Sequence, residues 1–154
     1  MEELRVPTVA LAAEILVDDG RKFAGRLFVP AASARHAGPA RASEWLNEAV
    51  DFFPFLPDDA RDSVILSKRQ VVAVSVAADA NADPAALSLT TDTSVVVECG
   101  SRRLEGRLLI DMPQGQGRVL DYMNRAERFL TLVDGNRHHL IRKSAISRVV
   151  ETRD

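Results

Sequence analysis

The sequence predicts a mainly β chain built as two tandem small β-barrel repeats, each with one short helix inserted between its second and third strands. Three recurrences carry that expectation. The hairpin Glu14–Val29, EILVDDGRKFAGRLFV, returns 81 positions later as Val95–Ile110, VVVECGSRRLEGRLLI, so that Gly25-Arg26-Leu27 falls on Gly106-Arg107-Leu108. A helical segment follows at an offset of 77, with Arg41–Asn47 aligned on Arg118–Asn124 and Trp45 on Tyr122. Apolar strands complete each copy, Phe52–Leu56 on Phe129–Val133 and Ile65–Lys68 on Leu140–Lys143. One unit of roughly 65 residues is thus used twice, and the drifting offset places the length changes in loops, where they cost least. The implied organisation is a first repeat over residues 1–76, a linker over 77–93 and a second repeat over 94–154.

Taken in order, Met1–Ala13 reads as a lead-in, with Pro7 interrupting any helix and Val9–Ala12 long enough for an extra strand or an edge cover. Ile15 and Val17 are β-branched, and Asp18-Asp19-Gly20 has hairpin-turn chemistry, which predicts a strand on each side of it. In the returning strand Phe23, Gly25, Leu27 and Val29 share one face, predicted to point inward. Gly25 and Gly106 sit mid-strand, where a missing side chain marks a bend or a close backbone approach. The stretch from Pro30 to Arg41 and its counterpart Met112–Gly117 are loops by composition. Ala42, Trp45, Leu46 and Ala49, and in register Val119, Tyr122, Met123 and Ala126, follow helical spacing and predict an amphipathic helix of two to three turns per copy. After the third strand come the turns Pro57-Asp58-Asp59 and Asp134-Gly135-Asn136, then a fourth strand. The pairs Val71/Val74 and Ile146/Val149 lie three apart, which breaks strand alternation and predicts a 3₁₀ turn before the last strand. Ala77–Thr93 reads as the linker, with a covering strand at Leu87–Thr91.

Composition narrows the class. Hydrophobic residues make up 46% and charged residues 27%, which places the chain among globular proteins. A net charge of −2 argues against a surface that is a phosphate-binding field throughout. The single cysteine, Cys99, excludes an internal disulfide and a multi-cysteine zinc site, and its Val-rich strand makes it a small buried hydrophobe. The acidic N-terminus is unlike a signal peptide and no apolar run approaches membrane-spanning length, so a cytoplasmic location is expected.

The hairpin DDGRKFAGRL resembles the first motif of Sm-like proteins, and Ile141-Arg142-Lys143-Ser144-Ala145-Ile146-Ser147-Arg148-Val149 is similar to their second motif. The resemblance covers most of each repeat and implies the Sm-like, SH3-like small barrel. Lys143 stands where that motif has glycine, and Leu66-Ser67-Lys68 lacks its arginine. Asp121…Asn124 is similar to the Asp…Asn pair of the family's RNA pocket. The resemblance therefore implies one alternative reading, an RNA- or nucleotide-binding protein contacting its ligand through Asn124, Arg142 and Lys143.

No catalytic constellation is legible. Neither copy shows a nucleophile with a base beside it or a phosphate-cradling glycine loop, and no cofactor motif is present. His138-His139 are strand neighbours and point to opposite faces, so at most one can serve a metal. Trp45 and Tyr122, at matching positions on an apolar helix face, are expected in the core. The leading expectation is a non-catalytic interaction or assembly module whose partner is a protein or a second copy of itself. Two apolar edges, Val71–Val76 and Ile146–Val150, are expected to carry that contact.

Overall fold

The computed structural model describes residues 7–82, 91–110 and 119–152. Its first half runs β1 (Thr8–Val17), β2 (Lys22–Pro30), α1 (Ala42–Leu46), β3 (Phe52–Pro57), β4 (Val64–Ser67), a 3₁₀ turn (Lys68–Gln70) and β5 (Val71–Ala77). The second runs β6 (Thr91–Cys99), β7 (Arg102–Ile110), α2 (Val119–Met123), β8 (Phe129–Asp134), β9 (Arg137–Arg142), a 3₁₀ turn (Lys143–Ala145) and β10 (Arg148–Glu151). Among the described residues no helix is long and apolar enough to cross a membrane.

All ten strands form one antiparallel sheet in the order β10-β6-β7-β8-β9-β5-β1-β2-β3-β4. It is open, with β10 and β4 at its edges. Each half contributes the same local order, fifth strand, first, second, third, fourth. Cross-strand register recurs as well. Ala13 faces Gly25 on one side and Val76 on the other, as Val95 faces Gly106 and Glu151. Phe52 faces Ser67 as Phe129 faces Arg142, and Arg26 faces Leu56 as Arg107 faces Val133.

The halves meet where β5 pairs with β9, Ala73 opposite Ile141 and Val74 opposite Leu140. Val71–Val76, expected at an edge, is therefore interior. Val71–Val74 and Val76 are buried, on both faces of the strand, which is why the run VVAV is apolar at successive positions rather than alternating. Two cores result and they share this joint. The first gathers Ile15, Leu27, Phe53, Phe55 and Val74 with Phe129 and Leu140 of the second half. The second gathers Val97, Leu108, Leu132 and Ile141 with Leu16, Val72 and Ala73 of the first. Each core is completed by side chains from the other half.

Several local expectations meet the structure at a finer grain. The 3₁₀ turns precede β5 and β10 as the apolar spacing predicts. The helices are single five-residue turns, shorter than the periodicity implied, because the chain unwinds at Asn47 and Asn124 and leaves Ala49 and Ala126 exposed. Trp45 and Tyr122 occupy the same fourth position of each helix and are half-buried rather than central. Val9–Ala12 belongs to β1 itself, and β6 begins at Thr91. The covering strand read at Leu87–Thr91 and the loop Met112–Gly117 lie outside the described residues, apart from Thr91.

Gly25 and Gly106 show what their sequence position requires. A Cβ at Gly25 would overlap the Leu56 carbonyl oxygen and stand 2.8 Å from the Phe55 ring, and at Gly106 it would stand 2.5 Å from the Val133 carbonyl oxygen. The second strand crosses the third at backbone contact in both halves. Gly25→Ala and Gly106→Ala are each expected to lower stability by about 2–3 kcal/mol, against about 1 kcal/mol for Gly38→Ala, whose strain is only conformational. Urea denaturation reads this directly; similar midpoints for Gly25→Ala and Gly38→Ala would refute the close approach.

Candidate functional site

Two of the chain's three lysines hold the helices in place. Lys68 Nζ donates to the Trp45 and Glu48 carbonyls at 3.2 and 3.1 Å, and lies 5.6 Å from the centre of the Trp45 ring. Lys143 repeats the device, donating to the Arg125 carbonyl at 3.0 Å and standing 5.9 Å from the Tyr122 ring. A five-residue helix leaves most of its carbonyls without intrahelical donors, so a buried cation at its C-terminal end satisfies them and complements the dipole. Trp45 Nε1 has no hydrogen-bond partner, so the cation over its face is that ring's polar contact. Lys68 is wholly buried, and burial, with the Arg128 charge adding to it, pushes its ammonium down to about 8.

The residues of the nucleic-acid reading are placed as follows. Arg142 Nε donates to the Val71 carbonyl at 2.7 Å, and its guanidinium reaches Asp18 at 2.9 Å and the Ser144 hydroxyl. It is a pin across the β5–β9 joint. Lys143 faces α2, as described. Asn124 is exposed at the end of α2, its amide N–H bonded to the Leu120 carbonyl. Lys143 Nζ thus sits at the carbonyl of the residue after Asn124, while Arg142 is engaged with Val71 and Asp18.

Its counterpart in the first half, Asn47, reaches across the joint. Asn47 Oδ1 accepts from the Phe129 N–H at 2.8 Å while Nδ2 donates to the Phe129 carbonyl at 3.3 Å, a two-point clamp on the other half's backbone. Pairwise alignment of Asn47 with Asn124 was visible in sequence, but the clamp joins positions 82 apart and had no local signal.

The fold assembles one serine–histidine–aspartate chain that the sequence does not reveal. Ser75 Oγ and His139 Nδ1 are 2.6 Å apart, and His139 Nε2 lies 3.1 Å from Asp134 Oδ2. Ser75 sits mid-strand in β5, which is paired on both sides, so the backbone amides around it are engaged in ladders. The trio cross-links three strands, β5, β9 and β8. His138, on the opposite face, meets Asn81 Nδ2 at 3.0 Å, and burial, with His139 beside it, holds its pKa below the ordinary value. Among the described residues no three His, Cys, Asp or Glu side chains are grouped to hold a metal. Cys99 is buried, which pushes its thiol up.

Two concavities stand out among the described residues. A cleft of about 590 Å³ between the halves is lined by polar groups engaged with one another, Arg107 with Asp92 at 2.9 Å and Asn81 with His138. The second, of about 680 Å³, is a groove along the free strand β4, walled by Val64, Ile65, Leu66 and Ser67 and by the β1–β2 turn with Asp18, Asp19 and Arg21. Among the described residues the apolar surface of β3 and β4 is uncovered at Ile65, 75% exposed, and at Phe52, 62% exposed, while their counterparts at the β5–β9 joint, Leu140 and Phe129, are 0% and 2%. Comparison with family models, with curated proteins and with solved structures returns no match.

The Lys68 ammonium gives a pH dependence with a definite sign. Its pKa of about 8 lies below the unfolded 10.5, so the folded state disfavours the cation and stability rises with pH between those values. The expected rise is on the order of 2 kcal/mol from pH 8 to 10.5. Lys68→Met should flatten it while lowering stability at neutral pH, because two helix carbonyls lose their donor. Denaturation curves across pH check this; a wild-type stability that falls over that range refutes the assignment.

Proposed function

We propose that the chain is a non-catalytic interaction module, two fused Sm-like, SH3-like five-stranded units descended from one duplicated unit, which binds protein partners by strand addition at its free sheet edges. The observation that carries this reading is the β4 edge, where Phe52, Val64 and Ile65 stand exposed and β4 walls a groove of about 680 Å³. An unpaired strand offers a row of backbone donors and acceptors, and flanking apolar side chains give specificity to whatever strand adds to it. The recurrence of strand order and register supports duplication, and the shared fifth-first-second-third-fourth order supports the small-barrel resemblance. The non-catalytic part rests on Ser75 lying in a doubly paired strand. RNA binding is disfavoured, since Arg142 and Lys143 are held by backbone carbonyls and the net charge is −2.

The test uses an eight-residue peptide, residues 145–152 (AISRVVET), which carries the β10 sequence. Labelled peptide is expected to bind the intact protein by fluorescence anisotropy and to slow amide exchange at Val64–Ser67. Ile65→Lys should weaken binding at least about tenfold by placing a charge in the strand-addition site. Absence of binding, or a salt-dependent shift with mixed RNA oligonucleotides in its place, overturns the reading.

A further inference from the structure

We infer that the cleft between the halves is a binding site for a small uncharged molecule with an apolar body and one carbonyl-type acceptor, held by the Nε2–H of His138. The site is separate from the β4 edge and does not depend on the interaction-module reading.

Of the chain's three histidines, His138 is the one with an uncommitted ring nitrogen. His36 has the Ala37 carbonyl on one nitrogen and Glu44 on the other, and His139 has Ser75 and Asp134. His138 meets Asn81 Nδ2 through Nδ1 alone, at 3.0 Å. Where its proton sits follows from the groups behind it. The Ser43 N–H is a donor only, and it donates to Asn81 Oδ1 at 2.8 Å, which turns the Asn81 amide nitrogen toward His138. An amide NH2 is also a donor only, so Nδ1 accepts and the neutral ring carries its proton on Nε2. Burial, with His139 beside it, keeps the ring neutral.

This donor is fixed in place and faces open space. His138 is 6% exposed and Asn81 5%, and β9 is paired on both sides at this point, Val76 and Val133 standing opposite His138. Among the described residues Trp45 Nε1 is the buried side-chain nitrogen without a partner; His138 Nε2, which has no partner in the chain either, is reached from the cleft that His138 lines. A donor so nearly buried favours an acceptor strongly, because leaving it unmade forfeits its desolvation.

The rest of the wall selects the ligand. Leu109, Leu130 and Val133 of the second half and Ala78 and Ala82 of the first supply apolar surface on both sides, and about 590 Å³ is within the range that holds drug-sized molecules. The charged groups are already engaged, Arg107 with Asp92 at 2.9 Å and Lys143 with the Arg125 carbonyl. A bound anion would therefore lie against a neutral imidazole with no cation of its own, which costs far more than burying a carbonyl that gains a hydrogen bond. His138 stands near the start of β9 and Lys143 just past its end, five residues or about 16 Å along the strand, so this donor is not one of the Asn124, Arg142 and Lys143 set.

Three probes of one size separate these effects: acetophenone carries the acceptor without charge, benzoate carries it with a charge, and ethylbenzene carries none. They are titrated into protein labelled with ¹⁵N in its backbone and histidine rings. Before any probe, long-range ¹H–¹⁵N correlation should show His138 protonated on Nε2 only. Acetophenone should shift that Nε2 and the amides of Leu109, Thr131 and Val133 saturably. Ethylbenzene should bind about fivefold more weakly and leave Nε2 in place, and benzoate at least about tenfold more weakly. His138→Phe should reduce acetophenone to the affinity of ethylbenzene, and Leu109→Trp, which fills the cleft without touching the Ser43–Asn81–His138 chain, should abolish binding of all three. If His138→Phe does not fold, the Nε2 shift and Leu109→Trp decide. Protonation on Nδ1, equal affinities for the three probes, tighter binding of benzoate, a response centred on Val64–Ser67, or no saturable response to acetophenone overturns the inference.

Discussion

Everything in this molecule depends on β5 being paired on both sides. A single five-stranded unit of about 60 residues buries too small a fraction of its surface to be comfortably stable, and its fifth strand would be an open edge. Pairing β5 with β9 removes that edge and gives each core side chains it lacks, Phe129 and Leu140 to the first, Leu16, Val72 and Ala73 to the second. Cores that share residues cannot unfold independently. The two halves are therefore one cooperative sheet, although each repeats the other's ladder register.

The polar groups at the joint divide the labour between affinity and alignment. Apolar contact across β5 and β9 is non-directional, and a slip of one residue would turn Leu140 out of the first core and Ile141 into it. Directional contacts oppose that slip. Arg142 ties β9 to the Val71 carbonyl and to Asp18, Asn47 clamps the Phe129 backbone, and Ser75, His139 and Asp134 link β5, β9 and β8. The serine–histidine–aspartate chain belongs in this company, since its two contacts also span β5, β9 and β8 and oppose the same slip.

How much of this was legible in the sequence follows from the range of each interaction. Hairpins, mid-strand glycines, helix positions and 3₁₀ turns are local and leave signatures of spacing, so they were readable, and the in-register repeat made each one visible twice. The β5–β9 joint couples positions more than 60 residues apart, as Ser75 and His139 illustrate, and no local pattern marks it. One clue was present. VVAV is apolar at successive positions, the mark of a strand buried on both faces rather than of an edge. The lysine caps were also within reach, since Lys68 and Lys143 are two of only three lysines and recur at an offset of 75. Buried cations read from sequence as surface charges, and only the fold shows that each lies over an aromatic ring.

The internal joint and the free edge β4 differ in their side chains: Ser67 stands in the register position of Arg142, Ile65 in that of Leu140, and Val64 in that of His139. Without the arginine the edge has apolar area and backbone donors but lacks the joint's strongest charge-assisted bonds. Exposed apolar strands are a liability unless their partner is specified, and here the specification is geometric: a strand that fits beside β4 must place an apolar residue over Ile65 and small or polar residues into a groove rimmed by Asp18, Asp19 and Arg21.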